Sequence, residues 1–512
     1  MEEKTNVALL EKMDRALNSI ERAIAWYRKN LPSNRQKQAM LADCRKSLKR
    51  KRKALSSKAA IAIFGESQSG KSYLVNIFLS EPGKPFAIAG HIFLNINSLG
   101  QGTECTSIVT RFSISEKWVN AKFPVKVKLL SVSSIILMLC DSFYNDIVHD
   151  SVLSVDDLNA MIDGLSERYA HGGEVQQAVS EDDLLEMQEY FTAFFGIKAA
   201  NVLASRFFEV IPPLVARVRY DEWPEVFSLL WNNHAVFTTL FDNLIKKYSE
   251  LGFANKTLYL PIEAVLYEHE QGGLLDIHTL NKIYETTATA TKTSILLFKN
   301  GKETLLQEFP IPWLSALSEE VVFCLPEELT ERKGYLTSSD ILDFPGARAR
   351  LGLPACHIQE TIMPDLLIRG KVGFLFNKYS MAEQINLLLV CCKHEQSAQR
   401  AMPEILDRWV RNTVGQNPAA RKAFMEKSKV APLFLIGTFF NENLELLNID
   451  KEKVSENENE ISSLDYRWKQ RFHLTLENEL INVKSYSWFT NWTDNVPFKN
   501  IYLLPEDMRF CR

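Results

Sequence analysis

The chain has 512 residues, of which 46% are hydrophobic and 24% charged, and its formal net charge is −4. It is too long for one hydrophobic core, so we expect about two to four domains of ordinary globular composition. The acidic balance argues against a protein built to coat nucleic acid. No basic start precedes an apolar run, and every apolar stretch is too short to span a bilayer. We therefore expect a cytoplasmic protein without a signal peptide or transmembrane helix.

The N-terminal region predicts a helical hairpin. Hydrophobic residues recur at steps of three and four over residues 5–30, and a second helical stretch covers residues 34–55. The second stretch ends in a basic run at 46–53. Such a run suits contact with acidic lipid or a partner, although a solvated helix face is the more common explanation. We assign residues 1–57 to an N-terminal helical segment.

An apolar strand then runs into G-x-x-x-x-G-K-S at 65–72, which is the Walker A pattern. Its glycines let successive backbone N–H groups point at phosphate oxygens, and the following helix adds its positive end. Lys71 would reach the β and γ phosphates, and the Ser72 hydroxyl would coordinate Mg²⁺. The predicted nucleotide-binding residues of this loop are Gly65, Glu66, Ser67, Gln68, Ser69, Gly70, Lys71, Ser72 and Tyr73.

A second motif, D-F-P-G at 343–346, follows a strand predicted at 340–343. A triphosphatase needs a carboxylate at such a strand end to hold the water shell of magnesium, and a backbone amide that senses the γ phosphate. We assign these roles to Asp343 and to the Gly346 amide. A plain Pro-Gly turn has the same letters, and the upstream Walker A loop favours the functional interpretation.

Two threonines precede or open the strand predicted at 108–113. A threonine in this position of a GTPase closes over Mg²⁺ when the γ phosphate is present, so Thr110 and Thr106 are both candidates. Both are also ordinary strand residues. Gln68 is the candidate for orienting water and Arg348 for stabilising charge. The predicted catalytic set is Lys71, Gln68, Thr110 and Arg348, and the predicted magnesium set is Ser72, Thr110 and Asp343.

Guanine recognition departs from the usual pattern. The strand predicted at 433–437 leads into T-F-F-N, where a GTPase carries N/T-K-x-D. The amide of Asn441 replaces a carboxylate whose two oxygens would accept the guanine hydrogens. Thr438 and Asn441 are the candidates on the base side, and the choice between GTP and ATP stays open.

The predicted fold is an α/β P-loop NTPase domain with a mostly parallel sheet and helices on both faces. Apolar residues at helical spacing predict a large, mainly helical insertion at 121–289, which splits the NTPase domain into 58–120 and 290–450. Residues 451–512 form a C-terminal helical and aromatic-rich segment, with a helix at 462–483. The remaining predictions are strands at 91–96, 294–298, 321–324 and 385–392 and a helix at 404–413.

Five segments of the chain form a recognisable set: G-E-S-Q-S-G-K-S-Y-L-V at 65–75, T-S-I-V-T-R-F at 106–112, D-I-L-D-F-P-G-A-R at 340–348, R-G-K-V-G-F-L-F-N-K-Y-S at 369–380 and D-R-W-V-R at 407–411. Together they resemble the SrfC-like family of bacterial virulence factors. I-V-T-R resembles the matching segment of dynamin-like GTPases, which favours Thr110 and leaves Thr106 second. The resemblance covers nearly the whole chain and implies a cytoplasmic bacterial protein with SrfA-like and SrfB-like partners from the same operon. Because family members carry a lysine-aspartate base motif and a longer C-terminus, we expect a shortened member or a fragment.

Three functions follow from these patterns. The first is a slow GTPase-type hydrolase or nucleotide switch that binds Mg²⁺ and GTP, with helical segments that rearrange or form a homodimer. The second is a degenerate nucleotide-binding scaffold that acts through protein partners. The third is an ATPase, which the altered base motif favours. Membrane contact has only the basic run at 46–53 in its favour, and no nucleic acid partner is expected.

Overall fold

The structure is a computed structural model that describes residues 2–81, 84–93, 106–116, 120–149, 151–266, 272–284, 290–299, 302–348, 350–392, 402–428, 430–438 and 488–503. Within these ranges, eleven strands form one mixed sheet, and two pairs of short strands lie outside it. The strands are β1 Ala59–Gly65, β2 Ala87–Ile88, β3 His91–Ile92, β4 Val109–Ser113, β5 Val125–Leu129, β6 Ile147–Val148, β7 Thr257–Leu260, β8 Lys292–Lys299, β9 Lys302–Pro310, β10 Ser318–Cys324, β11 Ser339–Asp343, β12 Leu353–Pro354, β13 Leu387–Cys392, β14 Leu433–Gly437 and β15 Ile501–Leu503.

Helices cover the sheet and build a separate helical block. They are α1 Glu2–Asn30, α2 Arg35–Ser56, α3 Lys71–Leu79, α4 Val132–Asp146, α5 Val155–Tyr169, α6 Glu181–Tyr190, α7 Ala200–Ala204, α8 Phe207–Val210, α9 Trp223–Phe227, α10 Ala235–Leu251, α11 Ile311–Leu317, α12 Met363–Met381, α13 Met402–Thr413, α14 Pro418–Lys427 and α15 Trp488–Asn491. α4 and α12 are buried along most of their length, including polar residues such as Asp141 and Lys371.

The sheet order is β15-β14-β13-β1-β11-β4-β10-β5-β7-β8-β9. The first five strands, β15 to β11, run parallel to one another. β4 pairs antiparallel with β11, and the strands beyond β10 are antiparallel to their neighbours. β1 therefore has a parallel neighbour on each side, so its carboxyl end and that of β11 meet at one edge of the sheet.

The two faces of the sheet carry different chemistry. Asp343 of β11 is in register with Thr110 of β4, so both project to the face that α3 covers. On the other face, Arg111 donates to Glu320 over 2.8 Å, and Tyr379 of α12 donates to the same carboxylate over 2.6 Å. Burial acts to raise the pKa of Glu320, but the charges of Arg111 and Lys128 outweigh it and lower the pKa to about 2.

The predicted helical insertion contains two strands of the main sheet. Residues 121–289 were predicted to be mainly helical, and α4 to α10 do lie in this block. The block also holds β5 near its start and β7 after α10, which pair with each other, and β5 pairs with β10 as well. The alternation of valine and lysine in Val125–Leu129 has the two-residue period of a half-buried strand, which the helical interpretation overlooked.

Several basic side chains of α2 form ion pairs with acidic side chains of α6. Arg50 forms two hydrogen bonds with Glu189, at 2.9 and 2.7 Å, and Lys46 lies 3.2 Å from the same carboxylate. Arg45 and Lys49 both contact Asp182. This pairing fastens the N-terminal hairpin to the helical insertion, and it favours a structural role for the run over contact with acidic lipid.

Most sequence-predicted elements are found at or near their expected positions. The strand predicted at 433–437 coincides with β14, and those at 294–298, 321–324, 340–343 and 385–392 overlap β8, β10, β11 and β13. Of the strand predicted at 91–96, His91–Ile92 is β3, the second half of a small hairpin with β2, and residues 94–96 lie outside the described part of the chain. The helix predicted at 462–483 lies outside the described residues. Where the structure describes the chain, its helices lack the length and apolar character needed to cross a bilayer.

Candidate functional site

The Walker A segment forms a tight loop between β1 and α3. Gly65 ends β1, and a Cβ atom there would overlap the carbonyl oxygen of Cys391 and lie 2.7 Å from Ser69 Oγ. Gly70 precedes α3 in a left-handed conformation with φ of 80°, which a residue with a side chain rarely adopts. The backbone therefore requires glycine at both positions, at Gly65 because of close packing and at Gly70 because of its conformation. The loop leads directly into the N-terminus of α3.

The loop is closed around the carbonyl oxygen of Glu66. Lys71 Nζ donates to this oxygen over 2.5 Å, and Ser69 Oγ donates to it over 2.9 Å. Ser69 is fully buried and Lys71 is 9% exposed. The lysine thus lies across its own loop rather than projecting into solvent. Gln68 stands at the turn with φ of 59°, a strained position for a residue other than glycine.

Ser72 and Asp343 meet next to this loop. The Ser72 hydroxyl donates to Asp343 Oδ2 over 3.0 Å. Burial raises the pKa of Asp343 to about 6, although the charge of Lys71 and the Ser72 hydrogen bond act to lower it. Asp343 Oδ1 is buried, and no partner for it occurs in the described part of the chain. A buried carboxylate oxygen with unused acceptor capacity suits a cation or an ordered water.

The D-F-P-G loop runs alongside the end of β1. The Phe344 amide donates to the Ile63 carbonyl over 3.1 Å, and the Ala347 amide donates to the Gly65 carbonyl over 3.0 Å. Gly346 immediately precedes Ala347 and is buried. Its backbone is therefore beside the Walker A loop, as the prediction of a phosphate-sensing amide requires.

The candidate threonines lie across β11 from the Walker A strand. Thr110 is 2% exposed and in register with Asp343, whereas Thr106 lies before the strand and is 8% exposed. Between them, the Ser107 hydroxyl is fully buried, and no partner for it is found among the residues described. Ser107 was not among the predicted site residues, although its hydroxyl is visible in the sequence between the two candidate threonines. Residues 94–105 lie outside the described part of the chain.

Thr438 contacts the Walker A segment itself. Its hydroxyl donates to the Ser69 carbonyl over 2.8 Å, and its amide donates to the Cys392 carbonyl over 3.0 Å. Its side chain therefore supports the loop from the neighbouring strand end, and a contact with the base stays a prediction. Asn441 falls outside the described residues.

Arg348, the candidate charge stabiliser, lies near the first turn of α12. Its guanidinium is 3.3 Å from Asp365, and the side chain is 19% exposed. Asp365 also accepts a hydrogen bond from Arg369 over 3.0 Å. The sequence did not identify this acidic partner, because it lies on a helix whose docking the local pattern does not specify. A role for Arg348 at a phosphate stays a prediction.

The residues present fit magnesium held together with a nucleotide. Within the described ranges, no group of three or more histidine, cysteine or acidic residues converges on one point. Mg²⁺ commonly takes one or two carboxylates, keeps several waters and uses substrate phosphates for the rest. Ser72, Asp343 and the buried Thr110 supply such an incomplete oxygen set on one face of the sheet. The ion would therefore need phosphate oxygens to complete its shell.

Comparison with known protein families decides the relationship of the chain. A family model described as "Putative bacterial virulence factor" matches residues 23–508. The chain belongs to this family of bacterial virulence factors. No curated protein matches it. Membership in the virulence-factor family confirms that part of the resemblance seen in the sequence, and the family description names no reaction, cofactor or partner.

Proposed function

We propose that this virulence-factor family member is a P-loop protein that binds a nucleoside triphosphate with Mg²⁺ and acts as a slow, GTPase-type hydrolase or nucleotide switch. The proposal depends above all on one contact, the 3.0 Å hydrogen bond between Ser72 and Asp343. It joins the residue after the Walker A lysine to the first residue of D-F-P-G. These are the two positions from which a P-loop nucleotidase holds magnesium.

The topology of the sheet supports this proposal. In open α/β sheets, ligands bind outside the carboxyl ends of parallel strands. β1 and β11 are adjacent and parallel, with Ile63 in register with Asp343. The Walker A loop and the D-F-P-G loop therefore leave the sheet side by side, and the N-terminus of α3 faces the same edge. The positive end of α3 would favour a polyphosphate there.

Each group at this edge has a defined part in the proposal. The amides of residues 66–70 would bind the phosphates, after Lys71 exchanges the Glu66 carbonyl for a phosphate oxygen. Magnesium supplies neutralisation of the charge on the β and γ phosphates. Ser72 and Asp343 would orient the bound oxygens, Thr110 would close over them, and the Gly346 amide would distinguish a triphosphate from a diphosphate.

Two features favour slow hydrolysis. Arg348 is paired with Asp365, so its charge is already partly neutralised before any phosphate is present. Ala347 stands where many GTPases carry the glutamine that orients water, and Gln68 is the remaining candidate for that role. A protein that binds without hydrolysis, and acts through SrfA-like and SrfB-like partners or as a homodimer, is the second candidate function.

Titration with labelled GTP and ATP tests the proposal. We expect binding of at least one nucleotide in the presence of Mg²⁺, and loss of that binding in Lys71→Ala. Lys84→Ala is the matched control, because the Lys84 side chain is 79% exposed and, among the described residues, forms an ion pair only with Glu81, at 4.0 Å. Binding that Lys71→Ala leaves unchanged, or the absence of binding to both nucleotides, would refute the proposal.

The choice of base and the rate of hydrolysis are separate measurements. Preference for ATP over GTP would favour the ATPase that the T-F-F-N sequence at 438–441 suggests. Release of phosphate with Mg²⁺ distinguishes the hydrolase from the scaffold. We expect Thr110→Ala to lower turnover more than affinity, because a residue that closes over the γ phosphate acts mainly in the transition state.

A further inference from the structure

We propose that Arg350 is a positioning residue that fixes the D-F-P-G loop through two buried acids of the helical insertion. Through this contact, α4 would set the position of the Gly346 amide and so the discrimination between nucleoside triphosphate and diphosphate. The inference rests on the proposed function, because it concerns how the same nucleotide site is controlled.

One guanidinium nitrogen of Arg350 is shared by two carboxylates. Its Nη1 lies 3.0 Å from Asp141 Oδ1 and 3.2 Å from Asp146 Oδ2. The next residue adds a backbone contact, since the Leu351 amide donates to Asp146 Oδ1 over 3.2 Å. Both acidic side chains are fully buried, whereas that of Arg350 is 32% exposed. Arg350, four residues after the D-F-P-G motif, therefore supplies the cation. α4 supplies two acidic side chains that water does not reach.

Separating these groups is unfavourable. Removal of one partner from a buried ion pair leaves an uncompensated charge in a medium of low polarity. Here two carboxylates share one arginine, and Asp141 has one further donor, Tyr190 of α6, at 3.0 Å. Tyr190 in turn accepts a hydrogen bond from Asn377 of α12 over 3.2 Å. The Arg350 contact is thus part of a network that includes three helices.

The backbone of α12 lies close to this network at two glycines. A Cβ atom on Gly373 of α12 would lie 2.7 Å from Asp141 Oδ1 and 3.2 Å from Arg350 Nη2. One on Gly370 would overlap Ser142 Oγ of α4. α4 and α12 therefore pack with their backbones close together, and Arg350 reaches the acids along that contact. Because the two helices are closely packed, a small displacement of one is expected to move the other with it.

The loop is anchored at both of its ends. At one end, the Ala347 amide donates to the Gly65 carbonyl of the Walker A loop over 3.0 Å. At the other end, Arg350 and Leu351 are held by α4. Gly346 adjoins the first anchor and is four residues from Arg350. A shift of α4 would therefore reach the phosphate-sensing amide through a very short segment.

The same network extends to the N-terminal hairpin. Tyr190 is the last residue of α6, and Asp182 and Glu189 of that helix pair with Arg45 and Arg50 of α2. Movement of the D-F-P-G loop on nucleotide binding would thus be passed to α4, then to α6 and α2. This gives the helical segments a physical connection to the nucleotide site.

The test is the ratio of the dissociation constants for diphosphate and for a non-hydrolysable triphosphate, measured with Mg²⁺. In Arg350→Gln we expect the ratio to fall about tenfold, within the range usual for coupled sites. Asp146→Asn should lower it less, since Asp141 remains, and Arg350→Lys should lie between wild type and Arg350→Gln. A general loss of structure would weaken both ligands together and leave the ratio unchanged.

A double-mutant cycle completes the experiment. Because Asp146 acts through Arg350, the double variant should show little further fall beyond Arg350→Gln alone. Arg206→Gln is the control, since it breaks an exposed ion pair with Asp163 elsewhere in the insertion. If Arg350→Gln lacks a cooperative unfolding transition, Arg350→Lys and Asp146→Asn decide the result.

Two failures can be told apart. If wild type binds neither ligand, the proposed function is wrong and the inference falls with it. If wild type binds both and prefers the triphosphate, while Arg350→Lys and Asp146→Asn keep the wild-type ratio within about twofold, only the inference is overturned. Additive effects in the cycle would also overturn it.

Discussion

The Ser72 hydroxyl and the Asp343 carboxylate are hydrogen-bonded over 3.0 Å although 271 positions separate them in the chain. The contact joins the first turn of α3 to the end of β11. It brings a hydroxyl and a buried carboxylate to the edge of the sheet where the Walker A loop begins.

Substitution of Ser72 should weaken nucleotide binding only when Mg²⁺ is present. Ser72→Ala removes the hydroxyl that we assign to the metal, and with it the side-chain hydrogen-bond donor that Asp343 has among the described residues. Hydrogen bonds to charged groups contribute about 1.5–3 kcal/mol, so we expect affinity to fall roughly tenfold or more. Titration with Mg²⁺ and with EDTA measures this. An equal loss under both conditions would contradict a role for Ser72 at the metal.

Asp343 should make stability depend on pH in the absence of metal. Burial raises its pKa from 3.8 to about 6, so the folded state holds a proton that the unfolded state has lost between these values. Its contribution to stability is therefore fully present below pH 3.8 and is lost as the pH rises through 6. The loss is at most about 3 kcal/mol at 1.36 kcal/mol per unit of pKa.

Asp343→Asn should remove this dependence. We expect its advantage in unfolding free energy over wild type to grow between about pH 4 and pH 7, as measured by urea unfolding in EDTA. Metal and nucleotide require the ionised carboxylate, so wild-type affinity for Mg²⁺-nucleotide should decline as the pH falls below about 6. Parallel stability curves for the two proteins would show that the raised pKa of Asp343 is wrong.

Two glycine substitutions should have opposite effects. A Cβ atom at Gly65 would overlap Cys391 O and crowd Ser69 Oγ, so Gly65→Ala should destabilise the fold by about 1–3 kcal/mol and abolish nucleotide binding. Gly164 is the matched control within α5, where a Cβ atom would meet nothing within 4 Å. Gly164→Ala should stabilise by about 0.5–1 kcal/mol, because alanine is the better helix former. Thermal unfolding of both variants measures the two changes in stability, and nucleotide titration of Gly65→Ala measures the loss of binding.

The contact between α2 and α6 should be measurable as a coupling energy. Arg50 and Glu189 are 19% and 35% exposed and form two parallel hydrogen bonds, which makes them more than an ordinary surface pair. A double-mutant cycle with Arg50→Gln and Glu189→Gln should give about 0.5–1 kcal/mol at low salt and less at high salt. Arg168 and Glu225, both more than half exposed, form the comparison pair and should couple less.

An inverse result would change the interpretation of the hairpin. If the pair of Arg168 and Glu225 couples as strongly as that of Arg50 and Glu189, burial and bidentate geometry do not matter here. If neither cycle shows coupling, the pair of Arg50 and Glu189 does not contribute to holding α2 against α6.

Much of the proposed nucleotide-binding edge, where the Walker A and D-F-P-G loops leave the sheet, could be predicted from short patterns. The Walker A loop depends on glycines and on an apolar run, both of which act over fewer than ten residues, and β14 was predicted with its observed bounds, Leu433–Gly437. The prediction from local patterns was wrong near the start of the insertion, where Val125–Leu129 is a strand of the sheet. Whether an amphipathic segment is a strand depends there on its pairing with β7 and β10, which lie far away in the chain.

The sequence by itself determined which residue types stand at the proposed nucleotide-binding edge, because backbone conformation and hydrophobic periodicity are local properties. Only the tertiary structure decided their partners. It paired Thr438 with the carbonyl of Ser69, Arg348 with Asp365 and Arg350 with Asp141 and Asp146. Burial and ion pairing depend on groups that meet only after the chain has folded, so no pattern within one segment specifies them.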